Sequence, residues 1–252
     1  MASSGPDHPQ IGRVAARAGV YFAVVDGEGV VMDIVANRYY GLTGEAAQVW
    51  QRIVDADASP EGDLAADRPP VDSETVVGDA VEAWRASNLI ASAHDPRTEE
   101  QLPVAKDARV PAKVGIPGRD IRAASRSVVI FGALLREMLR TKRLVKRRGL
   151  AVALTYLQSI RAGGDVPSRR SDLLSILHTY YASRIPLSQG KEDCLPRSLA
   201  LASLLRRRGI DAEICFGVEK LPFRAHAWVE ASGFVVNDSP NYIRRFTVLG
   251  RF

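Results

Sequence analysis

The chain has 252 residues, 46% of them apolar and 25% charged, the composition of a soluble globular protein with one large domain or two small ones. Its first ten residues, MASSGPDHPQ, lack the apolar core of a signal peptide, and no apolar run reaches the roughly 20 residues that span a bilayer. Two cysteines, Cys194 and Cys215, exclude a disulfide framework, so a reducing cytoplasm is the expected compartment. The net charge of +5 hides a division: residues 1–95 hold 15 acidic and 6 basic side chains, a net −9, which leaves +14 for the remainder.

Short strands open the chain. Val20 to Val25 is rich in β-prone residues, Asp26-Gly27-Glu28-Gly29 reads as a turn, and Val30 to Val35 returns. A second turn at Ala36-Asn37-Arg38 leads into Tyr39-Tyr40-Gly41-Leu42. Thr43 is placed to cap a helix running through Trp50 and Ile53, and residues 60–66 allow a short second helix. Ser73 caps a third, with Val76, Val77, Val81 and Trp84 at helical spacing. Four prolines between 93 and 118 mark a linker.

The remaining residues begin with helices near 119–148, 150–161 and 171–183. The first holds ten basic and two acidic residues. It reads either as a solvated or acid-docking face or as a nucleic-acid surface, but no aromatic platform or nucleic-acid motif accompanies it, and nucleic acid is not the expected partner. PLSQGKED, at 186–193, is a loop, and Cys194 to Arg208 is a helix stopped by Gly209. Asp211 to Val218 is a strand. The segment AHAWVEASGFVVND then forms a hairpin through Ala231-Ser232-Gly233, pairing Trp228 with Val236 and His226 with Asp238. Facing residues of a ladder share one side of the sheet, so that pairing places a carboxylate beside the imidazole.

A nucleophile for this pair stands at Cys194. Asp193 can cap its helix, and the positive end of the helix dipole favours a thiolate there. Cysteine, a histidine to share its proton and a carboxylate to orient that histidine form a catalytic set. Each residue also has a plain structural reading, but the combination favours catalysis. Gln189, five residues before the cysteine, could face water or serve as an oxyanion donor. Cys215 reads as a buried small hydrophobe and His178 as helix packing. A metal site from Cys194, Cys215 and His226 lacks a fourth ligand and the close C-x-x-C pairs, so neither a metal nor a cofactor is expected.

The run CLPRSLALASLLRRRGIDAEICFGV, with FRAHAWVE and VND, resembles the leader peptidases of lasso-peptide biosynthesis, the B proteins. The resemblance implies an α+β chain. Residues 119–252 would be a transglutaminase-like, papain-related cysteine peptidase domain whose triad is Cys194, His226 and Asp238. Residues 1–92 would be a winged-helix-like, PqqD-like leader-recognition element of three strands and three helices, joined through the linker at 93–118. By the same resemblance, a precursor's leader adds as a strand along Arg38, Tyr39, Tyr40 and Leu42 and packs on Val77, Val81 and Trp84, which could equally be the module's core. The implied partners are the lasso precursor peptide and an ATP-dependent, asparagine-synthetase-like cyclase, with no membrane. A peptide-binding scaffold without turnover and a transglutaminase-like acyl transferase are the alternatives.

Overall fold

The computed structural model describes residues 14–58, 74–92, 128–160, 169–187 and 194–252. The expected short helix at 60–66 and the linker at 93–118 lie outside them, as does Gln189. Within them the chain is a mixture of helices and antiparallel sheets.

The N-terminal sheet has the order β2 (Val20–Val25), β3 (Glu28–Asp33), β4 (Arg38–Leu42). Asp26 and Gly27 both have positive φ, 48° and 78°, which makes the first turn two residues long and starts β3 earlier than the sequence suggests. A small ladder pairs β1 (Val14–Ala16) with β5 (Ile90–Ser92) and closes the module, as Arg17 donates to the Asn88 carbonyl at 2.6 Å. Three-residue strands leave no periodic signal, and the sequence reading misses both. Helices α1 (Gly44–Ala58) and α2 (Glu74–Ala86) cover one face. There Trp50 and Trp84 meet edge to face at 4.9 Å, packed with Val31, Leu42 and Val81.

Alternation along the strands decides what happens on the other face. Phe22, Val31 and Tyr40 point toward α1 and α2, whereas Tyr21, Ala23, Met32 and Tyr39 point the opposite way. This second row joins the core of the C-terminal half, with Tyr21 edge-on to Phe252 at 5.1 Å. The three-stranded sheet is thus a filling between its own helices and the second half of the chain. An all-apolar strand such as VYFAVV is the sequence mark of a sheet buried on both faces.

The C-terminal half packs helices against a four-stranded antiparallel sheet of order β8 (Phe234–Val235), β7 (Arg224–Ala231), β6 (Ala212–Glu219), β9 (Thr247–Arg251). Helix α3 (Val128–Ser159) breaks at Gly149, φ 85°, where the sequence places a helix boundary. Helices α4 (Arg169–Leu187) and α5 (Cys194–Arg207) follow. Leu154, Leu157, Ile176, Leu199, Leu201, Ile214 and Val229 are each fully buried in the core between them and the sheet. Burial at about 25 cal/mol per Å² of apolar surface makes this the main stabilising term of the fold.

Two features depart from the expected hairpin. Its turn holds two residues, Ser232 (φ 51°) and Gly233 (φ 81°), so Glu230 pairs with Val235 rather than Phe234. Trp228 is therefore not opposite Val236, whose amide bonds to the Val229 carbonyl at 3.0 Å. The ladder then ends, and the chain turns into a short helix, α6 (Pro240–Ile243).

Candidate active site

Cys194 is the first residue of α5 and half-buried. Thr141 of α3 donates to the Pro196 carbonyl at 3.1 Å and fixes the first turn of α5. One turn further, Ser198 donates to the Ala227 carbonyl of β7 at 3.0 Å. These bonds set the start of the helix beside the strand that carries His226.

The His226 ring meets Asp238 through Nε2, 2.7 Å from Oδ2. Nδ1 is left for the thiol, and Cys194 is close enough to the ring to help raise its pKa. The structure thus brings Cys194, His226 and Asp238 together. It does so by a route different from the expected ladder pairing, because β8 is only two residues long. Beyond it, buried Asn237 accepts from the Val229 amide at 2.7 Å and donates to Ser198 at 2.9 Å. Asp238 follows directly and accepts from the Ser239 amide at 2.7 Å. A side-chain bridge replaces the missing backbone pairs and re-aims the carboxylate at the imidazole.

Burial alone would lower the basicity of His226. The hydrogen bonds and charges of Asp238 and Cys194 outweigh it and hold the pKa at about 9. The ring is therefore an imidazolium at neutral pH, suited to stabilising a thiolate and to giving up a proton later. Aromatic rings hold it on three sides: Trp228 stacked at 6.2 Å, Tyr242 and Phe246 each at 5.3 Å. Trp228 is fixed in turn, its indole donating to Glu230 at 2.9 Å while Glu230 pairs with Arg251 in the interior. Gly217, opposite His226 in the ladder, makes room for that indole, since a Cβ there would lie 2.8 Å from the ring.

The family model of the transglutaminase-like superfamily matches residues 135–251, a stretch that contains all three of these side chains. Residues 135–251 are a transglutaminase-like domain. The chain is also 46% identical over 59 residues to the microcin J25-processing protein McjB of Escherichia coli, a match covering 23% of this chain and 28% of that protein. The chain thus matches less than a third of that relative's length. Together the two matches support the resemblance to lasso-peptide B proteins over the part of the chain they cover. No solved structure matches the chain.

Within the transglutaminase-like domain, the second cysteine, Cys215, lies on β6 opposite Trp228. It is fully buried with Arg251 Nη1 at 3.6 Å from its sulfur, and burial pushes its thiol up. Among the described residues no cluster of His, Cys, Asp and Glu is arranged to hold a metal, and no helix is long and apolar enough to cross a membrane. The basic helix α3 presents Arg136, Arg140, Arg143 and Arg147 on its exposed face, with Arg140 stacked over Tyr156 at 4.4 Å.

The expected leader-binding residues divide. Arg38, Tyr39, Tyr40 and Leu42 form β4, which among the described residues pairs only with β3 and leaves its outer edge open. Arg38 is exposed, whereas Tyr40 and Leu42 face the module core. Val81 and Trp84 are 6% and 5% exposed in that core, so they take the packing role that the sequence also allows. The Val77 side chain is outside the described residues. Sequence reasoning missed Asn237, Ser198, Tyr242 and Phe246. The motif VND contains Asn237, but a neighbour of a candidate carboxylate carries no separate signal, and the two rings lie in a segment with no period.

Proposed function

We propose that this chain is a cytoplasmic cysteine peptidase that binds the leader of a lasso precursor peptide and cuts it at the leader–core junction. The observation that carries this reading is the grouping of Cys194, His226 and Asp238 within a domain that also has an open strand edge, β4, packed against it. The similarity to a microcin-processing protein supports the substrate class.

In this mechanism the Cys194 thiolate attacks the scissile carbonyl carbon and forms a C–S bond. The tetrahedral oxyanion collapses, the C–N bond breaks, and the His226 imidazolium gives its proton to the departing amine. That amine is the new N-terminus of the core peptide, ready for ring closure by a partner cyclase. His226, now neutral, takes a proton from water as the water attacks the thioester. The leader leaves with a C-terminal carboxylate and the thiolate is regenerated. Asp238 holds the ring and offsets the charge of the imidazolium. A leader held along β4 raises the local concentration of its own scissile bond, so the cleft needs little affinity of its own.

The membership of residues 135–251 in the transglutaminase-like superfamily supports a second reading, in which an amine rather than water resolves the thioester. Mass spectrometry of precursor peptide incubated with the protein and with Cys194→Ala separates the readings. Cys194-dependent release of intact core and free leader acid supports the peptidase. A leader–amine conjugate formed in the presence of added amine supports transfer. An unchanged peptide, with the cyclase also present, sinks both.

A further inference from the structure

Three arginines are buried among the described residues, and two of them have ordinary partners. Arg206 donates to the Ala212 and Leu157 carbonyls at 2.6 and 2.9 Å, and Arg251 pairs with Glu230. Arg197, 8% exposed, has neither kind of partner. Among the described residues no carboxylate or carbonyl accepts from it. What it meets instead is the face of the Tyr180 ring, whose centroid lies 5.7 Å from the guanidinium carbon. An aromatic face offsets only part of the cost of burying a cation and uses none of its five N–H donors in the plane of the fork. Nor are the Arg197 nitrogens sealed in: among the described residues, enclosed nitrogens without a partner occur at Trp50 and His178, not at Arg197.

Arg197 stands one turn along α5 from Cys194. At about 100° per residue it lies about 60° to one side of the cysteine, while Ser198 lies about 40° to the other. Ser198 faces β7, the strand of His226, through its bond to the Ala227 carbonyl at 3.0 Å. Arg197 faces α4, the helix of Tyr180. The nucleophile's position thus has the histidine strand on one side and a guanidinium without an anion on the other. Helical side chains lean toward the N-terminus, which carries the Arg197 stem back toward the turn of Cys194, and Cβ atoms at this spacing are about 5–6 Å apart.

We propose that Arg197 is a carboxylate-binding residue of the peptide cleft, holding an acid beside the scissile bond on the side of Cys194 away from His226. A guanidinium presents parallel N–H groups that match the two oxygens of a carboxylate, a demand that the Tyr180 ring leaves unmet. The assignment rests on the peptidase reading for the peptide, but not for the anion site. Two carboxylates fit it: an Asp or Glu side chain of the precursor, and the new C-terminal carboxylate of the released leader. An extended peptide advances about 3.4 Å per residue, so a side-chain acid would lie within about two residues of the cut bond.

Alkylation of Cys194 in the full chain tests the anion site without any peptide. Iodoacetate and iodoacetamide both form an S–C bond with the thiolate and expel iodide, but only iodoacetate carries a carboxylate. Arg197→Gln should lower the iodoacetate rate about 10-fold relative to iodoacetamide, as for loss of one charge-assisted hydrogen bond, and Arg197→Lys should lower it less. Cys194→Ala supplies the blank. A ratio unchanged in Arg197→Gln overturns the proposal. An equal fall for both reagents overturns it too, and makes Arg197 a support of the helix. In precursor cleavage, replacing Asp by Asn or Glu by Gln near the junction should raise KM about 10-fold at one position in the wild type, and leave Arg197→Gln unaffected. If no position couples but inhibition by the leader acid weakens in Arg197→Gln, the ligand is the product carboxylate. If neither couples, the site takes no carboxylate of the peptide and the proposal fails. If the alkylation ratio moves but the wild-type protein cuts no precursor, the peptidase reading fails and the anion site stands.

Discussion

Ser198 accepts a hydrogen bond from Asn237 at 2.9 Å and donates one to the Ala227 carbonyl at 3.0 Å, which fastens the nucleophile's helix and the residue before Asp238 to the same strand. Triad geometry thus depends on a buried polar bridge that itself takes no part in the chemistry. All of its members are satisfied, the condition under which a buried network rigidifies a site.

Asn237→Ala should expose the worth of that bridge. It leaves the Val229 amide and the Ser198 hydroxyl with one fewer partner, each in the interior. An unsatisfied buried group costs about 1–3 kcal/mol, so the variant should lose about 2–4 kcal/mol in urea unfolding, with an unchanged m-value. Cleavage should fall further than stability explains, because Asp238 loses its aim. A variant within about 0.5 kcal/mol of wild type would show the bridge to be incidental.

The raised basicity of His226 predicts how activity depends on pH. The folded pKa, about 9, lies above the ordinary 6.5. The protonated ring therefore stabilises the fold fully below the ordinary value, and this contribution is lost as pH rises through about 9. Activity should follow the same proton, with the alkaline limb of kcat/KM falling near pH 9 as the general acid disappears. Asp238→Asn removes one of the partners that raise the pKa, so its limb should move down in pH and its maximal rate should fall. An alkaline limb that stays in place in Asp238→Asn would remove the carboxylate from its orienting role.

The sequence carries the site better than it carries the surroundings. Cys194 at a helix start and the Phe223–Glu230 alternation are local signals, and a motif match adds to them. The register of β8 differs from the one the sequence suggests because a two-residue turn in which both φ angles are positive looks, in sequence, like three residues closed by glycine. His226 and Asp238 still meet, since Asn237 rather than the ladder sets their approach. The apolar run VYFAVV packs on both sides of its sheet, although Val24 is 50% exposed, and its second partner lies more than a hundred residues away. No periodicity reports on that distance. The ladder of β1 with β5 and the short α6 were too brief to register.

The buried pair Glu230 and Arg251 predicts an asymmetry between single and double variants. Each is about 8% exposed, and Glu230 also anchors the Trp228 indole that stacks on His226. Arg251→Met leaves a buried carboxylate uncompensated and should cost about 3–5 kcal/mol, whereas adding Glu230→Gln should restore much of that loss. Denaturant unfolding of the three proteins, read as a double-mutant cycle, checks this. A double variant no more stable than Arg251→Met would mean that the ion pair itself, rather than its unpaired remnant, holds the strand.

The contact between the two halves predicts what happens when the chain is cut. Residues 1–95 alone would expose Tyr21, Ala23, Met32 and Tyr39, a contiguous apolar row that the catalytic half covers in the intact protein. Such a face is a liability for an isolated module. Residues 1–95 and 119–252 expressed together should therefore copurify as a one-to-one complex, and the N-terminal fragment expressed alone should be poorly soluble. Because the contact is chiefly apolar, with Lys220 and Glu28 adding one ion pair, the complex should survive salt that screens surface charges. Size-exclusion chromatography in low and high salt reads both points. Fragments that elute apart in both buffers would make the linker the only tie between the halves. Dissociation in high salt alone would instead make the acidic-to-basic attraction, already visible in the division of charge along the chain, the dominant force.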